Sequence, residues 1–212
     1  MALSKIIFNQ DIFFILLLIS FFLIALLKGL YWKHAKLLFM GVFALRYANQ
    51  FLREENAFTE RVNVITFFLM SINFTLIILK ITETYGLFSV GLILVYVSSF
   101  FFFKMKLINI LGFILKTKDL SKLAVFFSML FDRTLGFLLF PLIVLLYFFS
   151  FEITTIVLVT SYILLIILIL MKLFWLWKIG TNSFGIPQFY IFLYLCMLEI
   201  FPLLILGKGV FY

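Results

Sequence analysis

One acidic side chain, Glu199, lies inside a long apolar run of the sequence. A carboxyl group is costly to place in the hydrocarbon of a membrane, so we expect it to face other helices and to have a partner there. Pro202 removes a backbone hydrogen bond nearby and predicts a kink in the same helix. Such a carboxyl could bind a proton, an ion or a substrate, or it could contact a second protein. The simpler alternative is a protonated Glu199 that hydrogen-bonds to neighbouring helices.

Two other polar residues, Asn73 and Ser161, lie near the same depth as Glu199 if each apolar run is a helix rising about 1.5 Å per residue. The sequence therefore predicts a cluster of Glu199, Asn73 and Ser161 in the middle of the membrane, next to Pro202. Polar residues on membrane helices also hold helices together. The cluster is thus open to two interpretations, a structural contact or part of a transport path.

Three arginines are candidate contacts for anionic lipid headgroups. Arg46 and Arg53 share a polar helical face with Asn49 and Gln50 at spacing i, i+3, i+4, i+7, which is typical of a helix lying at a membrane surface. Arg133 lies at the start of an apolar run. Its guanidinium could bind a lipid phosphate bidentately, or it could simply anchor the helix among the headgroups.

Several kinds of chemistry are not indicated. Cys196 is the single cysteine and His34 the single histidine, so we expect no disulfide, no metal site and no cofactor. No common catalytic motif is present. The net charge is +8, but the basic residues flank apolar runs in short connections. That pattern predicts contact with membrane lipids and no binding of nucleic acid.

These residues must be positioned by membrane helices, because 66% of the chain is hydrophobic and only 12% is charged. A helix of roughly 20 apolar residues crosses a bilayer. The sequence predicts an all-α polytopic membrane protein, a single domain over residues 1–212, with six transmembrane helices at about 11–28, 62–79, 85–103, 134–150, 153–171 and 188–206. The runs contain no GxxxG motif, so we expect large side chains to pack between the helices.

Two regions do not fit a plain six-helix arrangement. Residues 36–53 are too short and too amphipathic to cross, and they predict an interfacial helix on the cytoplasmic side. Residues 107–131 contain two apolar runs of half the required length, separated by charged residues. We interpret them as interfacial helices, the second of which could continue into the fourth transmembrane helix. A re-entrant pair is the alternative.

The orientation follows from the positive charges, since cytoplasmic loops carry an excess of Lys and Arg. Most of the 17 basic residues fall in the first, third and fifth connections between the apolar runs, namely Lys28, Lys33, Lys36, Arg46, Arg53, Arg61, Lys104, Lys106, Lys116, Lys118, Lys122, Arg133, Lys172 and Lys178. The other side has Lys5, Lys80 and Lys208. We therefore expect both termini outside and the basic connections inside, in the cytoplasm.

The run LYLCMLEIFP at residues 193–202 resembles the signature of a family of Bacteroidota inner-membrane proteins. The segment LREEN at residues 52–56 and the segment DRTLG at residues 132–136 are also similar to it. The likeness covers nearly the whole chain. The family is known only as a domain of unknown function, so the resemblance implies an inner-membrane setting and no particular activity.

Three functions are compatible with these observations. The first is a non-catalytic inner-membrane subunit or assembly factor of a cell-envelope complex, with other inner-membrane proteins as partners. The second is a transporter or flippase for a lipid-linked or small anionic substrate, which would use Glu199. The third is a lipid-modifying membrane enzyme. The absence of catalytic motifs and of a soluble domain favours the first.

Overall fold

The chain is described here from a computed structural model that covers residues 2–54, 57–82, 86–114, 118–148 and 151–184. Every regular element in these ranges is an α-helix, and the helices are α1 (Ala2–Leu30), α2 (Trp32–Met40), α3 (Leu45–Arg53), α4 (Ala57–Thr82), α5 (Leu87–Ile114), α6 (Lys118–Phe148) and α7 (Phe151–Phe184). The predicted all-α class is confirmed for this part of the chain.

Four of these helices are long and apolar enough to cross a membrane, over Asp11–Leu30, Ala57–Thr82, Leu87–Ile110 and Ala124–Phe148. They correspond to the first four predicted transmembrane helices. The predicted fifth, 153–171, lies in α7, which has a shorter apolar stretch at Val159–Trp175. The predicted sixth, 188–206, lies outside the described residues, so the number six stays a prediction. The apolar helices indicate a membrane protein.

The helices α4 and α6 form the centre of the bundle. α4 packs against α1, α2, α5 and α6, and α6 also packs against α2, α5 and α7. Of the apolar segment of α4, 61% is buried, compared with 17% for α1 and 22% for α5. The outer helices thus present most of their apolar surface outward, as helices surrounded by lipid do.

A single glycine brings the two central helices close together. A Cβ atom added to Gly136 of α6 would lie 2.6 Å from the Cα atom of Met70 in α4 and 2.8 Å from its Cβ atom. Such an approach is possible only without a side chain. Elsewhere in α6 large side chains such as Phe127 and Phe131 fill the core, as expected. The α4–α6 contact therefore departs from the prediction that only large side chains pack between the helices.

The region predicted as one interfacial helix, 36–53, forms two short helices, α2 and α3, with a turn at Gly41 between them. The predicted polar face of α3 is confirmed, because Arg46, Asn49, Gln50 and Arg53 are all exposed, whereas Ala48 and Phe51 are buried. Whether this face lies at a membrane surface stays a prediction.

In the region 107–131 the helices are longer than the predicted short pair, and the second continues into the fourth predicted transmembrane helix, as the sequence allowed. α5 continues without a break to Ile114, and α6 begins at Lys118 and continues through Asp132 and Arg133 to Phe148. Charged residues end an apolar run but do not end a helix, since Lys and Arg are good helix formers and Asp is tolerated. Residues 107–114 therefore extend α5, and residues 118–131 are the first half of α6.

Candidate functional site

Asp132 of α6 joins two neighbouring helices. Its Oδ2 atom accepts a hydrogen bond of 3.0 Å from Nζ of Lys104 in α5, and its Oδ1 atom accepts one of 2.8 Å from Nζ of Lys172 in α7. Both contacts are salt bridges. We call Lys104, Asp132 and Lys172 the ion cluster. It connects three helices through one carboxylate.

The ion cluster is largely shielded from solvent. Lys104 is 5% exposed and Lys172 is 2% exposed, and Asp132 is partly buried. An ammonium group with no counter-charge would be strongly unfavourable at such a position. Asp132 therefore supplies a counter-charge to both lysines among apolar helices.

The cluster lies toward one end of the bundle. At about 1.5 Å per residue, Asp132 is roughly 24 Å from the Phe148 end of α6, and Lys104 is roughly 26 Å from the Leu87 end of α5. The hydrocarbon core is about 30 Å thick. If those two helix ends mark one boundary of the core, the cluster lies just inside the opposite boundary.

Arg133, the next residue, connects α6 to a third helix, α4. Its Nη1 atom donates a short hydrogen bond to Oδ1 of Asn63. The Nε atom of Arg133 is buried and has no hydrogen-bond acceptor among the described residues. Asp132 and Arg133 thus link α6 to α5, α7 and α4 from adjacent positions.

Asn73 makes a second polar link, deeper in the bundle. Its side chain is fully buried. Its Oδ1 atom accepts a hydrogen bond of 2.9 Å from Oγ of Ser20 in α1, and its Nδ2 atom donates one of 2.8 Å to the backbone oxygen of Gly136 in α6. Asn73 therefore joins α1, α4 and α6 at the level where Gly136 lies against Met70.

Of the predicted cluster of Glu199, Asn73 and Ser161, the structure describes only Asn73 and Ser161. Glu199 and Pro202 lie outside the described residues. The hydroxyl of Ser161 donates to the backbone oxygen of Val157 in its own helix, at 2.8 Å. The hydrogen bonds described for Asn73 lead to α1 and α6 and do not join it to Ser161. The three-residue cluster stays a prediction.

The three arginines predicted to contact lipid headgroups occupy different settings. Arg46 and Arg53 are exposed on α3. Arg133 is partly buried and lies within the apolar segment Ala124–Phe148. It is therefore inside the apolar part of its helix, whereas the sequence placed it at the start.

A third polar contact ties the two short helices to α4. The Nδ1 atom of His34 in α2 lies 3.6 Å from Oε2 of Glu54, which follows α3, and its ring stacks on Phe58 of α4 at 5.8 Å between centroids. No three His, Cys, Asp or Glu side chains come together as a metal site would require, within the ranges that the structure covers.

The ion cluster is the feature that the sequence did not reveal. Lys104 and Lys172 were assigned to basic connections, because each follows an apolar run. The sequence feature from which the ion cluster could have been recognised is Asp132, an acidic residue at a similar helical depth to both lysines. Only the rotation of each helix about its axis decides whether such lysines turn inward or outward.

Taken together, apolar helices joined by buried polar contacts define this chain as a helical membrane protein. Residues 13–210 match a family described as a domain of unknown function (DUF4271), so the chain belongs to that family. The predicted membership of an uncharacterised family is confirmed, while the bacterial group and the C-terminal signature stay predictions. No curated protein and no solved structure matches the chain.

Proposed function

We propose that this protein is a non-catalytic inner-membrane subunit or assembly factor of a cell-envelope complex. The observation that carries the proposal is that polar side chains within the apolar helices form hydrogen bonds and salt bridges with neighbouring helices. Asp132 holds Lys104 and Lys172, and Asn73 holds Ser20 and the backbone of Gly136. Groups used in this way fix the positions of helices.

The outer surface is compatible with contact to other membrane proteins. Large apolar side chains on α5 and α7 are well exposed, among them Phe88, Phe103, Tyr162 and Phe174. In a membrane such side chains contact lipid chains or another apolar helix. Partner helices would pack there through van der Waals contacts, without any loss of the internal polar links.

The test is purification from native membranes in mild detergent, followed by identification of bound proteins by mass spectrometry. We expect a protein partner in a fixed ratio to the chain. Recovery of the chain alone, with its helical content intact, would contradict a role as a subunit.

Transport of a lipid-linked or small anionic substrate is the second candidate. It is favoured by the ion cluster, because ionisable groups inside membrane helices often belong to substrate or ion paths, and here one carboxylate is shared by lysines from two helices. Glu199 is the residue on which this candidate depends. Loss of transport in Glu199→Gln with partner binding intact would support it, whereas loss of the partner in the same variant would support the subunit.

The proposed location is the inner membrane of a Bacteroidota cell, with both termini in the periplasm. Its support is that Lys28 lies in the last turn of α1, Arg61 lies in the first turns of α4, and Lys106 lies in the second half of α5. In an antiparallel bundle these positions fall at the same end, where the positive-inside rule requires the cytoplasm.

Cysteine labelling tests this orientation. In a Cys196→Ser background, Gly86→Cys and Lys122→Cys place single thiols at exposed positions near opposite ends of the bundle. A membrane-impermeant maleimide applied to spheroplasts should label Gly86→Cys, and it should label Lys122→Cys only after lysis. The reverse pattern would place both termini in the cytoplasm.

A further inference from the structure

The guanidinium of Arg133 has an incomplete set of partners. Its Nη1 atom donates to the neutral amide oxygen of Asn63, and its buried Nε atom has no acceptor among the described residues. A guanidinium carries five N–H donors and forms its strongest hydrogen bonds with anionic oxygens. The described contacts of Arg133 therefore lack an anionic acceptor.

The neighbouring carboxylate does not fill this role by hydrogen bonding. Each oxygen of Asp132 accepts from a lysine, one from Lys104 and the other from Lys172. Asp132 thus faces α5 and α7, while Arg133 faces Asn63 of α4. A cation among apolar helices is stabilised when a second anion comes within hydrogen-bonding distance.

The position of Arg133 suits an anion that belongs to the membrane surface. Its side chain is only partly buried. At about 1.5 Å per residue it lies roughly 22 Å from the Phe148 end of α6, in a hydrocarbon core about 30 Å thick. A long arginine side chain can extend from such a depth to the nearer headgroup layer.

We propose that Arg133 binds a phosphate group beside Asn63, between the apolar segments of α4 and α6, and that an anionic phospholipid supplies this phosphate. The two terminal nitrogens of a guanidinium match two oxygens of a phosphate, which gives geometric selectivity as well as charge. The site would hold one lipid headgroup where α4 and α6 meet, toward the end of the bundle away from Phe148, apart from the general attraction between basic loops and the membrane.

The experiment is native mass spectrometry of the detergent-purified protein during titration with phosphatidylglycerol. We expect one tightly held lipid on the unaltered chain. Arg133→Gln should weaken that binding by about tenfold or more, and Arg133→Lys should weaken it several-fold although the charge is kept, because the planar fork is lost. Lys122→Gln is the matched control, since it removes one exposed positive charge from the same helix, α6.

Equal binding by Arg133→Gln and the unaltered chain would overturn the proposal, as would an equal loss in Lys122→Gln. If Arg133→Gln does not fold, Asn63→Leu provides a second test, because it removes the neutral acceptor and leaves the guanidinium. Its lipid binding should stay within about threefold of the original, and complete loss would contradict the site.

Inorganic phosphate added at millimolar concentration distinguishes the two sources of the ligand. If the phosphate is part of a lipid, free phosphate should leave the bound lipid in place. Displacement of the lipid by free phosphate, in the unaltered chain and not in Arg133→Gln, would support a phosphate site filled from solution and overturn the lipid assignment.

Discussion

Replacing Asp132 by Asn is the most direct test of the ion cluster. The amide keeps the shape of the carboxylate but removes the charge that Lys104 and Lys172 share. Each charge-assisted hydrogen bond contributes about 1.5–3 kcal/mol, and removing one partner of a buried ion pair typically costs about 3–5 kcal/mol. Because the lysines are 5% and 2% exposed, solvent offers them little compensation. We therefore expect Asp132→Asn to lose about 3–5 kcal/mol of stability.

The loss should appear as a lower melting temperature. For a chain of this length each kcal/mol shifts the midpoint by about 2–4 °C, so a decrease of roughly 10 °C is expected. The protein is heated in detergent and then separated by size-exclusion chromatography with fluorescence detection. The measurement is the fraction that stays monodisperse at each temperature.

The matched control removes the lysine charges together with the carboxylate. Combining Asp132→Asn with Lys104→Met and Lys172→Met leaves no uncompensated charge in the cluster, and replacement of a buried ion group by apolar residues is often neutral or stabilising. The triple variant should recover most of the lost stability. A midpoint for Asp132→Asn within about 2 °C of the unaltered chain, or a triple variant no better than the single one, would refute this account.

Two further predictions concern the α4–α6 contact. Gly136→Ala places a Cβ atom 2.6 Å from the Met70 backbone, so we expect a loss of about 1–3 kcal/mol, seen as a lower melting temperature, whereas Gly91→Ala, which meets nothing within 4 Å, should change it little. Asn73→Leu removes both interhelical hydrogen bonds and should cost about 1–2 kcal/mol, more than Ser20→Ala, which removes one. Equal melting temperatures for the two glycine variants, or a larger loss in Ser20→Ala than in Asn73→Leu, would contradict the described packing.

The sequence predicted those features that depend on composition along the chain. Apolar length alone located the helices predicted at 11–28, 62–79 and 85–103, which correspond to α1, α4 and α5, and helical spacing located the polar face of α3. The sequence predicted an additional break after residue 103, inside α5, because a run of apolar residues ends at a charge whether or not the helix ends there.

The candidate site needed information that a sequence does not contain. A lysine after an apolar run has the same pattern whether it extends to the headgroups or turns inward to an aspartate, as Lys104 and Lys172 do. Likewise, Gly91 and Gly136 are both glycines within apolar helices, yet only Gly136 contacts a neighbouring backbone. Both distinctions depend on how each helix is rotated about its axis within the bundle.

The adjacent positions of Asp132 and Arg133 have a consequence for the synthesis of the protein. Successive residues of a helix point about 100° apart, so α6 reaches α4 with one side chain and α5 and α7 with the other. When α6 leaves the ribosome, Asn63 and Lys104 have already emerged, whereas Lys172 has not. Asp132 therefore has one lysine during insertion of α6 and gains the second when α7 arrives, which makes the docking of α7 the step that completes the ion cluster.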